Sequence, residues 1–257
     1  MKNLAISLVT YNTSLDDLKK LLDSVSSTTL IYDFYVIDNS PTDDLKSFFQ
    51  NYDKVIYRHT GENLGYGGGH NKAMEETSKE GYEYHLVVNP DVFFDSKALE
   101  TAYNFMQQNS EVGHLGPKIF WPNNEMQYIC RRQPRPFDLF CRRFLPRSLV
   151  KKRLDRYEMR ETSYDKVIDV GFLPGSFMFM RTSALREVGL FDDRFFMYME
   201  DVDLTRRISE KYRTVFHPDV VIFHERATAH RRNKKLLFIF IQSVFRFYNK
   251  HGWLPIS

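Results

Sequence analysis

Residues 84–94 read YHLVVNPDVFF. A run of strand-forming residues enters Asn89-Pro90-Asp91, and the apolar pattern resumes directly behind it. Proline has no amide hydrogen and a fixed φ, so Pro90 ends a sheet strand, while Asn and Asp are ordinary turn formers. The run is near-continuously apolar rather than alternating, as suits a strand covered by helices on both faces. Three earlier runs share that character: NLAISLVTYN at 3–12, YDFYVIDNS at 32–40 and KVIYRHTG at 54–61. Between the first two, Leu15, Leu18, Leu22 and Val25 recur at helical spacing, with Thr13 or Ser14 placed to cap the start. A Gly-rich turn and a helix around HNKAMEETSKE follow the third run; SKALETAYNFMQQN, with Ser96 as its cap, follows the fourth. This alternation predicts an α/β fold built on an open, mostly parallel twisted sheet flanked by helices.

In such sheets ligands sit beyond the carboxyl ends of the strands. That rule collects Thr10-Tyr11-Asn12, Asp38-Asn39-Ser40, Gly61-Glu62-Asn63 and Asn89-Pro90-Asp91 on one rim. Any one of these is a plain loop or cap; four together predict a polar site. The run ENLGYGGGHN at 62–71 lets backbone approach a ligand closely or take positive φ. It lacks the Gly-Lys-Ser/Thr of a P-loop, and it follows the third strand rather than the first, so neither a Walker site nor a dinucleotide fingerprint is present.

The chain has 257 residues, 42% hydrophobic and 27% charged, enough for one large domain with a real core. No stretch approaches the roughly 18–20 apolar residues of a membrane span. The start carries no basic leader or cleavage site, which predicts a cytoplasmic protein. Cys130 and Cys141 fit no metal-finger spacing and are expected as free thiols. Net charge is only +3, yet residues 131–160 and 224–253 are strongly basic and interleaved with aromatics. An anionic membrane surface, a nucleic acid or plain solvent could face them; no nucleic-acid recognition motif is present, so a nucleic-acid partner is not expected.

In the second half, FLPGSFMFMR reads as a buried strand after a Gly175-Ser176 turn, and SALREVG as a short helix ended by Gly189. Phe195, Phe196, Met197 and Tyr198 precede Glu200-Asp201-Val202-Asp203 at a helix start. Acids there suit the helix dipole; a carboxylate beside aromatic walls also suits a general base. Arg206 and Arg207, one turn on, could pair with these acids or reach a phosphate. TVFHPDVVIFHE holds His217, read as structural, and His224, the better metal or phosphate contact.

SLVTYN, VIDNS, ENLGYGGGHNKA, VNPDVFF, the long stretch from Pro174 to Ile208, and VIFHE occur in this order across nearly the whole chain. Together they resemble the family 2 inverting glycosyltransferases of the GT-A fold, in particular the bacterial rhamnosyltransferase-like branch. The resemblance implies one domain over 1–257: a nucleotide-sugar-binding half at 1–117, an acceptor-binding and catalytic half at 118–230, and a basic amphipathic C-terminal helix at 231–257. It implies that Thr10, Tyr11, Asn12 and Asp38 hold the base of a nucleotide-sugar, Asp38 accepting from N3–H of uracil or thymine. Asn63, Gly65 and Asn71 would shape the loop beside base and ribose. Asn89-Pro90-Asp91 stands where the family has Asp-x-Asp, so Asp91 would hold Mg²⁺ or Mn²⁺ with His224, and neutral Asn89 leaves more of the coordination to the diphosphate. Asp201 matches the catalytic base; Gly175, Ser176, Glu200 and Asp203 fall on the acceptor side. The implied reaction moves a sugar, dTDP-L-rhamnose being the foremost donor, onto a lipid-linked or glycan acceptor at the inner face of the cell membrane. A UDP-hexose or UDP-GlcNAc donor, or a binding protein without catalysis, are the alternatives.

Overall fold

The computed structural model describes residues 2–95, 97–225 and 234–253. The four apolar runs become β1 (Leu4–Thr10), β2 (Tyr32–Asp38), β3 (Val55–His59) and β4 (Tyr84–Val88), paired in parallel in the order β3-β2-β1-β4. Beyond β4 the sheet is mixed. β9 (Phe177–Arg181) runs antiparallel between β4 and β6 (Val112–Phe120), β10 (Arg213–His224) lies parallel to β6, and β5 (Val92–Phe94) closes the edge antiparallel to β10. Two-residue strands β7 (Met126–Gln127) and β8 (Ile168–Asp169) pair with β6 and β10.

Helices α1 (Leu15–Ser26), α2 (Lys46–Phe49), α3 (Gly65–Glu80) and α4 (Lys97–Gln108) belong to the first half. The Ser14 side chain caps α1 by accepting from the Asp16 amide. Leu18, Leu22 and Val25 are buried while Leu15 stays exposed; burying such a side chain contributes about 1.5–3 kcal/mol each. The proposed Ser96 cap lies outside the described residues.

The structure departs from the sequence reading in three places. β6 was not expected, because Gly113, Gly116 and Pro117 disguise it; Cβ atoms on the two glycines would strike Tyr212 and Leu173 at 2.6 Å. The expected division at 117/118 therefore falls inside a strand, and β9 from the second half is inserted in the sheet of the first. The glycine run is no open turn either: α3 begins at Gly65. A Cβ on Gly69 would lie 2.7 Å from the Val9 side chain, so glycine lets α3 lie down on β1. The basic segment, for which the sequence reading named no element, forms α5 (Pro136–Phe144) and α6 (Arg147–Tyr157). α7 (Thr182–Val188), α8 (Glu200–Ser209) and α9 (Lys234–His251) complete the chain. Cys130 and Cys141 are both free and buried. Among the described residues no helix is long and apolar enough to cross a membrane.

Candidate active site

The parallel strands end together because β1, β2 and β3 keep one register, Thr10 opposite Asp38 and Asp38 opposite His59. Asp38 is fully buried. Its Oδ1 accepts from the Thr10 hydroxyl and the Ser40 amide, both at 3.0 Å, and its Oδ2 accepts from the Tyr57 hydroxyl at 2.6 Å. Oδ2, with one donor, is the oxygen that a base N3–H could share with the Tyr57 hydroxyl or take over from it. Asn12 takes positive φ of 51°, a conformation asparagine tolerates, and donates its amide to Ser40 Oγ at 2.9 Å. Beside it Tyr11 is half exposed, an open aromatic face on the rim.

Asn63, Gly65 and Asn71 serve the protein itself. Asn63 Oδ1 accepts from the Gly65 amide at 3.0 Å. Gly65, at φ 76°, lies so close to the Phe196 carbonyl that any Cβ would overlap it. Asn71 exchanges hydrogen bonds with the Phe191 backbone, 2.8 Å to its carbonyl and 3.0 Å from its amide. These bonds tie the start of α3 to the segment that leads into Glu200 and Asp201. Asn71 is buried there and acts on the loop through these bonds.

At the end of β4 the Asn89 amide donates to the Ser176 carbonyl at 3.0 Å, continuing the β4–β9 pairing. One residue away, the Gly175 amide donates to Asp201 Oδ2 at 2.9 Å, and the Val202 amide donates to Oδ1 at 2.8 Å. Asp201 thus comes to the strand end that carries Asn89 and Asp91. Tyr66, overlooked within the glycine run, joins them: its hydroxyl donates to the Gly175 carbonyl at 2.5 Å. Burial first, then the charges of Asp201, Glu200 and Asp91, raise its phenol well above the ordinary range.

The two acids of the pair differ. Burial pushes the Asp201 carboxyl up, opposed by the amides of Gly175 and Val202 and by the field of Arg142. Burial, then the Asp201 charge, pushes Glu200 up to about 8. Among the described residues, buried Glu200 Oε2 and Ser176 Oγ find no partner, two polar atoms that a bound hydroxyl could satisfy. Asp203, expected on the acceptor side, faces the other way. It is fully buried and binds Arg207 at 2.9 Å, Lys250 at 2.7 Å and His251 at 2.6 Å. Burial opposes its charge, but His251 and Lys250 hold its carboxyl below the usual range. It fastens α9 to α8 and is closed to an acceptor. Arg207 also caps the Val188 carbonyl at 2.6 Å and the Gly189 carbonyl at 3.1 Å.

Across the rim, His224 Nε2 lies 3.3 Å from Asp91 Oδ1, both partly exposed. β10 brings them together by pairing His224 with Val92. Asp17 of α1, which the sequence reading missed, is raised by burial and then by the like charges of Glu225 and Asp91. Negative charge at this rim thus exceeds what Asn89-Pro90-Asp91 alone suggests. Among the described residues no three His, Cys, Asp or Glu side chains converge to hold an ion. A partly exposed carboxylate–imidazole pair fits an ion that takes its remaining ligands from a diphosphate. A cavity of about 900 Å³ opens elsewhere, lined by Arg135, Arg156, Arg206, Tyr248 and Trp253, and none of the strand-end residues borders it.

The family model described as Glycosyl transferase family 2 matches residues 6–189. The chain is 30% identical over 241 residues to an N-acetylglucosaminyl-diphospho-decaprenol L-rhamnosyltransferase of Mycobacterium tuberculosis (strain CDC 1551 / Oshkosh), covering 87% of this chain and 76% of that one. It is 27% identical over 241 residues to the rhamnosyltransferase WbbL of Escherichia coli (strain K12), covering 91% and 86%. Among solved structures, the mannosyltransferase PcManGT of Pyrobaculum calidifontis, in complex with GDP-Man and Mn²⁺, superimposes with a TM-score of 0.62 at 15% identity, covering 99% of this chain and 65% of that one. That likeness speaks for the fold, a GT-A sheet. The chain belongs to glycosyl transferase family 2 and is a glycosyltransferase.

Proposed function

We propose that this glycosyltransferase moves L-rhamnose from dTDP-rhamnose to a hydroxyl of a lipid-linked or growing glycan, in bacterial surface polysaccharide synthesis at the inner face of the cell membrane. The observation that carries this reading is the 2.9 Å bond from the Gly175 amide to Asp201, next to the Ser176–Asn89 contact. It sets a partly buried carboxylate beside the rim that would receive the donor diphosphate. The two rhamnosyltransferase relatives, one of them an N-acetylglucosaminyl-diphospho-decaprenol L-rhamnosyltransferase, support the sugar and the lipid-linked acceptor.

Transfer is a single displacement. Asp201 takes the proton of the acceptor hydroxyl as that oxygen bonds to C1 of the sugar. The C1–O bond to the diphosphate breaks, the nucleoside diphosphate leaves with the electron pair, and configuration inverts. The Gly175 and Val202 amides fix the orientation of Asp201 and favour its charged form against burial. Glu200, neutral beside it, leaves the pair with one negative charge. At the nucleotide end, Thr10, Tyr11 and Asn12 border the base and Asp38 accepts its N3–H at Oδ2. Asn89 and Asp91 face the diphosphate. Asp91 and His224 would hold Mg²⁺ or Mn²⁺ with diphosphate oxygens; when bound, the ion stabilises charge on the leaving group as a Lewis acid.

A donor screen with dTDP-rhamnose, UDP-glucose, UDP-galactose and UDP-GlcNAc, with and without Mn²⁺, tests the assignment through acceptor-dependent nucleotide release. Release should be fastest from dTDP-rhamnose and depend on the ion. A UDP-sugar turned over faster would replace rhamnose, and no release from any donor would point to a protein that binds without catalysis.

A further inference from the structure

Twelve large apolar side chains are exposed among the described residues, and eight of them belong to α5, α6, α9 and the turn after α9. α5 shows Phe137, Phe140 and Phe144 along one face, their rings 6.0 and 5.3 Å apart in sequence. α6 adds Leu149, 76% exposed. α9 shows Phe238, Ile241 and Phe245 at the same helical spacing, and the Trp253 ring lies 5.3 Å from Phe245. Single exposed apolar residues are ordinary on a protein surface; ridges of them on neighbouring helices are not.

The inner faces of α5 and α9 explain how the ridges are held. Leu139 of α5 and Phe247 and Tyr248 of α9 share one buried cluster with Phe195, Met199 and Val202, the residues that bracket Glu200 and Asp201. The Tyr248 hydroxyl donates to the Pro134 carbonyl at 2.9 Å. The ridges therefore belong to helices that back the catalytic turn. Their flanks are basic: residues 136–157 and α9 carry eleven Lys and Arg against two Asp, in a chain of net charge +3, and four of the eleven, Arg147, Lys151, Arg153 and Lys250, also pair with acids of the protein itself. One of the two, Asp138, is buried, and α9 holds no acid. The remainder of the chain is thus net acidic, and two copies meeting through this face would oppose like charges. Aromatic ridges flanked by Arg and Lys suit the boundary between acyl chains and anionic headgroups.

We propose that α5, the start of α6 and α9 form a docking surface for an anionic bilayer, with the aromatic ridges entering the acyl boundary and the basic flanks on lipid phosphates. The proposal rests on the lipid-linked acceptor reading and says how the protein would sit against its substrate. The test is co-sedimentation of the full chain with vesicles of phosphatidylcholine alone and with one third phosphatidylglycerol. Two variants accompany it, Phe140→Ser with Phe144→Ser, and Phe238→Ser with Phe245→Ser, each checked for an unchanged thermal melt. Wild type should partition onto anionic vesicles at least tenfold better than onto neutral ones, and each variant should lose at least tenfold. Transfer to a short, water-soluble acceptor is measured in parallel. Variants that bind vesicles as wild type does, or wild type that transfers sugar without binding vesicles, would overturn the surface and leave the enzymatic reading standing. A wild type held as a dimer that the ridge variants separate would also overturn it. Ridge-dependent vesicle binding supports the surface even if no sugar is transferred.

Discussion

Glu200 and Asp201 are adjacent in sequence yet meet different surroundings. Asp201 accepts from two backbone amides, whereas Glu200 keeps a buried oxygen with no partner among the described residues and is pushed up to about 8. Between the ordinary carboxylate range and pH 8, the folded protein holds a proton on Glu200 that the unfolded chain has released. By linkage, stability falls as pH rises through that window, by at most a few kcal/mol. Thermal melts from pH 5 to 8.5 should show this fall in the wild type, and Glu200→Gln should flatten it; equal slopes in both would contradict a neutral Glu200. The acidic pair itself is legible in the sequence. Its division of roles is not, because it depends on Gly175, 26 residues away. Tyr66 was hidden for a related reason: an uncharged ring among glycines carries no pattern until the fold sets it against Gly175. Asp91 and His224 could be named from sequence, but Asp17 could not, since only the packing of α1 brings it to their rim.

At the scale of elements, the parallel strands were legible because helices cover both their faces and the apolar runs are unbroken. β6 was not, since its glycines answer to Tyr212 and Leu173 rather than to strand propensity. The glycines of α3 answer to packing in the same way: Gly65, Gly67 and Gly69 lie against Phe196, Phe191 and Val9. Asp203 shows the limit most clearly. As a sequence it is one more acid at a helix start; as structure it is the buried anchor of Arg207, Lys250 and His251. Asp203→Ala strands those cations and should cost about 3–5 kcal/mol. Denaturant unfolding reads that loss, and limited proteolysis should cut α9 earlier than in the wild type. An unchanged unfolding midpoint would show that α9 is held by its apolar face alone.

Over the whole molecule, one sheet gathers the chemistry. Its parallel half ends in the polar rim of Thr10, Asp38 and Asn89, and antiparallel β9 carries Gly175 and Ser176 to the same end. α8 supplies Asp201, while α5 and α9 lie behind it with outer faces that are apolar and basic. The central claim is that Asp201 acts on the acceptor and not on the nucleotide. Its most direct test is Asp201→Asn, measured side by side for nucleotide-sugar binding by calorimetry and for acceptor-dependent nucleotide release. Donor affinity should stay within a few fold of wild type while kcat falls by about 10²–10⁴, the range for losing a general base. Turnover near the wild-type rate would remove Asp201 from the reaction, and a loss of donor binding equal to the loss of turnover would place it at the nucleotide instead.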